Sequence, residues 1–326
     1  AGPTHLGSRR RGGEGMTGFA PLRVGIDIGG TKTDAVAIHA DGRIAQQLRL
    51  PTGFGPAAVL ETAVTAVTQL AALCETTIEG FTSIGIGIPG AVDNGTGRVT
   101  HAVNLGLDGL DLGAELSARL GRPVRIENDV NAAAIGAFHL LEKDPSHSMA
   151  YLNLGTGLAA GLVLGGELWR GSRGTAGEIG HIPVDPNGPE CPCGQRGCLE
   201  MVASGSAIAR QWPTDDARPA RALFAAAESG DPRAMEVKRR FVENVAAAVR
   251  VLVLTVDVDS VVIGGGLSSL GRSLLHDIVV VLEGWEHDSP FLASIELSRR
   301  MQLVPADFPA AAVGAALVGV APERVG

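Results

Sequence analysis

The chain has 326 residues, 45% of them hydrophobic, with 27 Lys+Arg against 35 Asp+Glu and a formal net charge of −8. That length suggests two domains of roughly 100–200 residues, each able to bury its own core, and the composition is that of a soluble globular protein. The acidic balance leaves no basic excess to hold a phosphate backbone, and 8 Phe, 3 Trp and 1 Tyr offer few rings for base stacking, so nucleic acid is excluded as the principal ligand.

In chain order, residues 1–22 carry Arg9-Arg10-Arg11 and scattered glycines but no apolar signal-peptide core, and read as a solvated, disordered tail on a cytoplasmic protein. No stretch reaches about 18 uninterrupted apolar residues. The Asn244–Val258 run is broken by Arg250 and Asp257, so no membrane span is expected. Runs rich in Val, Ile and Leu predict strands over Arg23–Ile28, Asp34–Ile38, Ile44–Leu50, Ser83–Ile88, Val124–Glu127, Ala150–Leu154, Ala159–Leu164, Val261–Ile263 and Ile295–Leu297. Helical periodicity covers Ala57–Leu73, Leu112–Leu120, Val130–Leu141, Arg218–Ala227, Pro232–Val256, Leu270–Glu283 and Ala310–Gly319. This alternation argues for α/β layers. Val24–Ile38 and Tyr151–Leu164 share one plan: a short strand, a polar residue (Asp27, Asn153), a Gly/Thr turn and a second apolar strand. A domain-scale duplication follows, with one turn from each half available to a shared cleft.

Asp27-Ile-Gly29-Gly30-Thr31-Lys32-Thr33 reads as a phosphate cradle, since two glycines expose backbone N–H groups, Thr31 adds a hydroxyl, and Asp27 suits a hydrated Mg²⁺. It lacks Walker A spacing. Gly85-Ile-Gly-Ile-Pro-Gly90 formally matches a dinucleotide fingerprint, but its first glycines lie inside a strand and Pro89 stands where a helix should begin; Gly90 instead lets a substrate approach the backbone. In Glu127-Asn128-Asp129, at a strand–helix junction, Asp129 is either a helix N-cap or a base placed to take a proton from a sugar hydroxyl. His181, Cys191, Cys193 and Cys198 make a closed tetrahedral set for a structural zinc ion, in a loop too rich in Gly and Pro to order itself. Glu178 and Glu200 flank that loop and suit polyol hydroxyls, and Cys74 reads as a core residue.

Asp27-x-Gly-Gly-Thr-Lys, Gly87-x-Pro-Gly90, Glu127-Asn-Asp-x-Asn131, Leu154-Gly-Thr-Gly157, Glu178-x-Gly-His181, Cys191-x-Cys193-Gly-x-x-Gly-Cys198-x-Glu200 and Gly264-Gly-Gly266 occur in order. Together they resemble the ROK family of bacterial sugar kinases and sugar-responsive repressors, within the actin-like ATPase superfamily. The resemblance implies a two-lobed, ribonuclease H-like α/β fold with duplicated lobes and a zinc-bound loop. Its small lobe would comprise residues 23–131 plus 308–322, and its large lobe 132–307 with the zinc loop at 181–200. It also implies MgATP in the cleft, with Gly29–Thr31 and Gly155, Thr156 and Gly157 on phosphate and Gly264, Gly265 and Gly266 on adenosine. Asp129 matches the catalytic base, and Asn104, Asn128, Glu178, His181 and Glu200 match sugar-hydroxyl contacts, His181 serving zinc through its other ring nitrogen. Leu107 departs from the aromatic residue that many glucose-phosphorylating members carry, leaving room for an N-acetyl group. Family repressors place a winged helix-turn-helix of roughly 60–80 residues ahead of the glycine turn; only residues 1–22 stand there. The expectation is therefore an ATP-dependent hexose kinase, a glucokinase first and an N-acetylglucosamine or N-acetylmannosamine kinase second, acting as a homodimer or homotetramer without nucleic-acid or membrane partners.

Overall fold

The computed structural model describes residues 21–142 and 144–320, so the Arg9–Arg11 run and nearly all of the expected tail lie outside the described residues. From Leu22 the alternation of apolar and small residues drives an antiparallel meander, β1 (Leu22–Ile28), β2 (Lys32–Ile38) and β3 (Ile44–Pro51). Helix α1 (Pro56–Leu73) follows, with Pro56 at its first turn where no N–H is required. Next come β4 (Phe81–Ile88), a small hairpin of β5 (Ala91–Asp93) and β6 (Arg98–Thr100), α2 (Leu112–Leu120), β7 (Val124–Asn128) and α3 (Asp129–Leu141). The second half repeats the opening with β8 (Met149–Leu154), β9 (Leu158–Leu164) and β10 (Glu167–Trp169). Helices α4 (Gly205–Gln211), α5 (Pro219–Glu228) and α6 (Pro232–Val256) lead to β11 (Ser260–Gly264), then α7 (Arg272–Asp288), α8 (Pro290–Ile295), β12 (Met301–Leu303) and α9 (Ala310–Val318).

The duplication expected from the two hairpins is visible in the topology. One sheet has the order β3-β2-β1-β4-β7 and the other β10-β9-β8-β11-β12. In both, the first three strands are antiparallel and the last two join in parallel. Each sheet has its own core: Val24, Ile26, Val67, Leu70, Ile84 and Leu116 in the first, and Leu152, Phe241, Val249, Ile263 and Ile278 in the second. Cys74 packs at the edge of the first core, as expected. Among the described helices α1 is long and apolar enough to cross a membrane by length and composition, and its Val59, Leu60, Ala63, Ala66, Val67 and Leu70 are buried in the first core.

The halves are joined by exchanged helices. Helix α3 follows a strand of the first sheet yet packs on β8 and β9, whereas α9 follows a strand of the second sheet and packs on β1, β2 and β4. The two helices cross at Gly136 and Gly314. A Cβ on Gly314 would lie 1.6 Å from the Ala132 carbonyl oxygen, and one on Gly136 would lie 2.0 Å from that of Ala310. Gly25 and Gly85 leave the same room for α9 on the first sheet, which accounts for the first glycine of the rejected dinucleotide pattern; the second, Gly87, faces Ala132 of α3.

One predicted strand is wrong. Ile295–Leu297 is not extended: Ser289 caps α8 by accepting the Leu292 N–H, Pro290 starts it, and Glu296 ends it in the left-handed region at φ 54°. The apolar pair fills the second core from this turn, and the edge strand is instead Met301–Leu303, paired in parallel with β11. Helix α7 begins later than predicted because Gly271, at φ 69°, separates it from a preceding 3-10 turn.

The crossing makes a sharp forecast. Gly314→Ala forces backbone apart and is expected to destabilise the protein by more than the usual overpacking cost of about 1–3 kcal/mol, read as a lower urea midpoint. Gly284→Ala is the control: it lies inside α7 with nothing near its Cβ position, and should stabilise by up to about 1 kcal/mol.

Candidate active site

A cleft of about 970 Å³ opens between the two sheets, lined from the first half by Asp27, Lys32 and Asp129 and from the second by Tyr151, Asn153 and Gly264–Gly266. Strand pairing sets its electrostatics. Asp27 stands directly opposite Asp34 in the β1–β2 ladder. Removal from water, then the neighbouring Asp129 and Asp34 carboxylates, push Asp27 up to about 8. Lys32 is largely solvent-exposed and lies 3.9 Å from Asp34, so it relieves little of this crowding.

At the junction of β7 and α3 the capping role falls on Asn128 rather than Asp129. The Asn128 side-chain oxygen accepts the Val130 and Asn131 N–H groups at 2.9 and 3.2 Å, and its amide donates to the Gly90 carbonyl at 3.2 Å. Asp129 takes one N–H, from Val130 at 3.0 Å, through a single oxygen. Burial holds its carboxyl above the usual range, partly offset by backbone hydrogen bonds, and the Glu178 charge adds to the rise. Sequence reasoning passed over Glu127, which is 1% exposed and accepts from Asn94, Asn128, Asn131 and Arg170. Its signal was available as an acidic residue ending a buried strand.

Of the expected site residues, Gly29–Thr31, Gly90, Asn104, Asn128, Gly157, Glu178, His181 and Glu200 do not line that cleft, and Gly155 and Thr156 line a separate cavity. Asn104, Glu200 and Glu178 lie instead beside the two glycine turns and the His/Cys loop. Asn104, exposed in a 3-10 turn, abuts Gly30. Glu200 accepts the Leu158 N–H at 2.9 Å beside Gly157, and Glu178 lies 4.0 Å from His181 Nε2. Leu107 is 2% exposed and packs in the first core, so it does not shape the cleft as expected. The exposed apolar groups there are Val103, next to Asn104, and Phe54, whose ring covers Gly106.

The His/Cys loop assembles as expected. His181 Nδ1, Cys191, Cys193 and Cys198 place their ligand atoms within 4.8 Å of one another, and the Nε2 of His181 faces Glu178. Hydrogen bonds from Gln195 lower the Cys193 thiol to about 6, whereas burial and the adjacent sulfurs raise Cys198 to about 12. Three clustered thiolates need a dication to coexist, and three sulfurs with one imidazole suit zinc. Only Cys191, Cys198 and Met201 form a buried apolar cluster in this loop, too little to order it without such a tie.

A second cavity of about 540 Å³ lies behind the β8–β9 turn, where Gly155, Thr156 and Gly266 meet Arg218 and Arg221 at the start of α5. Gly205 and Ser206 donate to the Gly155 and Thr156 carbonyls at 2.8 and 3.2 Å, docking the turn on α4. The Gly265 N–H donates to the Tyr151 hydroxyl at 3.1 Å, and a Cβ on Gly264 would overlap that hydroxyl. Arg218 and Arg221 were legible only as helix-start residues.

Residues 23–300 match the ROK family. The chain belongs to the ROK family. It is 32% identical over 279 residues to the glucokinase of Halalkalibacterium halodurans, a match covering 78% of this chain and 83% of that protein. It is 35% identical over 246 residues to an N-acetylmannosamine kinase of Escherichia coli O139:H28, covering 74% and 82%. A ROK family glucokinase from Streptomyces griseus, solved in complex with glucose and AMPPNP, superposes with a TM-score of 0.76 at 30% identity, covering 91% of this chain and 99% of that one. The relatives are thus sugar kinases, and this ROK protein has their actin-like fold.

Two outcomes follow from the site. Purified protein is expected to carry about one zinc per chain, the capacity of a single tetrahedral site, and Cys193→Ser should lower metal content and melting temperature together. Metal-free protein with an unchanged melting temperature would remove the zinc site. For Asp27 the native pKa of about 8 exceeds the unfolded 3.8, so the folded state holds the extra proton and stability falls as pH rises between these values. Asp27→Asn should therefore raise the melting temperature of the ligand-free protein clearly at pH 8 and hardly at pH 4.

Proposed function

We propose that this chain is an ATP-dependent sugar kinase that phosphorylates the 6-hydroxyl of a hexose, glucose being the first candidate. The observation that carries the reading is a carboxylate of raised pKa, Asp129, in a cleft lined by Asp27 and Lys32 from one duplicated half and by Asn153 and Gly264–Gly266 from the other. A sugar hydroxyl beside the free oxygen of Asp129 would give up its proton there as it attacks the terminal phosphoryl group in line. The raised pKa makes Asp129 a stronger base than an ordinary aspartate.

The turns at Gly29–Thr31 and Gly155–Gly157 offer backbone N–H groups to the phosphates. Gly264–Gly266 and the Arg218/Arg221 cavity offer room for the nucleoside, Gly266 having open space above it. Mg²⁺ would be held from the Asp27 side, where crowded carboxylates favour a cation, and supplies neutralisation of charge on the transferred group. Asn104, Asn128, Glu178, His181 and Glu200 would take the sugar hydroxyls. Asn128 has one N–H left after serving Gly90, and Glu200 retains an oxygen after serving Leu158. Closure of the halves about the α3–α9 crossing would exclude water.

The 35% identity to an N-acetylmannosamine kinase keeps an N-acetylhexosamine as the second reading. The test is kcat/KM for glucose, mannose, galactose, N-acetylglucosamine and N-acetylmannosamine at fixed MgATP. Glucose is expected to lead and galactose to be poor, because inverting one hydroxyl leaves a buried polar group unpaired at about 1–3 kcal/mol, roughly tenfold or more in selectivity. A lead for an N-acetylated sugar would replace the substrate and keep the chemistry; no turnover of any sugar would overturn the kinase reading. In the same assay Asp129→Asn, which keeps the shape and leaves the Asn128 cap in place, should lose about 10²–10⁴-fold in turnover while still binding sugar.

A further inference from the structure

Glu127 and Arg170 form the only ion pair beside Asp129 among the described residues whose carboxylate is fully buried, and no role above uses it. Glu127 Oε2 accepts from Arg170 Nε at 2.8 Å, Arg170 Nη2 at 2.6 Å and Asn94 Nδ2 at 2.9 Å. Its other oxygen accepts the Asn128 N–H at 3.0 Å and the Asn131 side-chain amide at 3.1 Å. Those last two donors bracket Asp129 in the chain, so Glu127 cannot shift without moving the Asp129 peptide.

The guanidinium comes from the other half of the molecule. Arg170 follows β10 and opens the segment that ends at Glu178 and His181. Its carbonyl accepts the Ala176 N–H at 3.2 Å, and the Gly177 carbonyl accepts the Ala160 N–H at 2.8 Å, so the segment is pinned to β9 at its far end and closed on Arg170 at its near end. The Arg170 side chain is 35% exposed, open to solvent at the edge of this network.

We propose that Arg170 is a positioning residue: through Glu127 it holds Asp129 in register with the Glu178–His181 segment, so that base and sugar-binding groups meet one substrate. This rests on the sugar-kinase reading. A buried carboxylate that loses its guanidinium seeks water or another cation, and the junction of β7 and α3 moves with it. Binding of nucleotide, remote from this network, changes little.

The test compares the wild-type chain with Arg170→Ala, Arg170→Lys and Glu127→Gln, measuring kcat, both KM values, zinc content and melting temperature on the sugar that the wild type turns over best. Arg170→Ala is expected to lose about 10–100-fold in kcat, the scale of a displacement of about 1 Å in a positioned group, with the KM for MgATP and the zinc content close to wild type. Added guanidinium chloride at low concentration should restore part of that kcat in Arg170→Ala and none in Glu127→Gln, which lacks the anionic partner. Arg170→Lys keeps the charge but not the adjacent pair of N–H donors, and should fall between. Should Arg170→Ala not fold, the lysine variant decides, and wild-type kcat in it overturns the proposal. A loss that follows only the folded fraction, without guanidinium rescue, makes the pair structural and overturns it too. A wild type inactive on every sugar removes the kinase reading and this one with it; an active wild type with unaffected variants removes this one alone.

Discussion

Everything at the cleft depends on the crossing of α3 and α9 at Gly136 and Gly314. Each sheet sends its last helix across to the other, and the two can pass only because neither carries a side chain at the contact. Backbone rather than side chains meets there, so the spacing between the sheets has almost no slack. The crossing is thus the fixed point from which the cleft opens. It also places the N-terminus of α3, with Asp129 on its first turn, in one cleft with Asp27 and Gly264–Gly266.

The cleft so formed is costly to the ligand-free protein. Burial raises Asp27 and Asp129, and the neighbouring Asp129 and Asp34 carboxylates raise Asp27 further. Such crowding destabilises the empty molecule and is relieved by cationic charge, the usual conflict between stability and function in one site. Asp27→Asn separates the two, because it removes charge without changing shape. Glu127, by contrast, is buried with every oxygen partnered. The two carboxylates differ in the number of donors aimed at them, which the fold decides.

The loop from His181 to Cys198 solves a different problem. It has almost no apolar core, and its hydrogen bonds, such as Cys191 N–H to the Gln195 carbonyl at 2.8 Å and Gln195 Nε2 to the His181 carbonyl at 3.0 Å, are local. A metal tie substitutes for burial in such a segment. It also ties His181, and through the adjacent residues Glu178 and Glu200, to a fixed place.

The sequence by itself determined the features that depend on local order along the chain. The Asp27 and Gly155 hairpins, the duplicated plan, the His/Cys3 set and Asp129 were legible because turn chemistry, strand alternation and ligand spacing all act within a few residues. Only the tertiary structure decided the rest. It gave the helix cap to Asn128, since which of two adjacent polar residues turns back depends on how β7 delivers the chain. It sent Leu107 into the core and left Phe54 and Val103 exposed, and it moved the last edge strand from Ile295–Leu297 to Met301–Leu303, where β11 supplied a partner. Above all it joined Glu127 to Arg170 and brought Arg218 and Arg221 to the Gly155 turn. Those contacts link residues distant in the chain, and no local pattern records a distance that packing alone fixes.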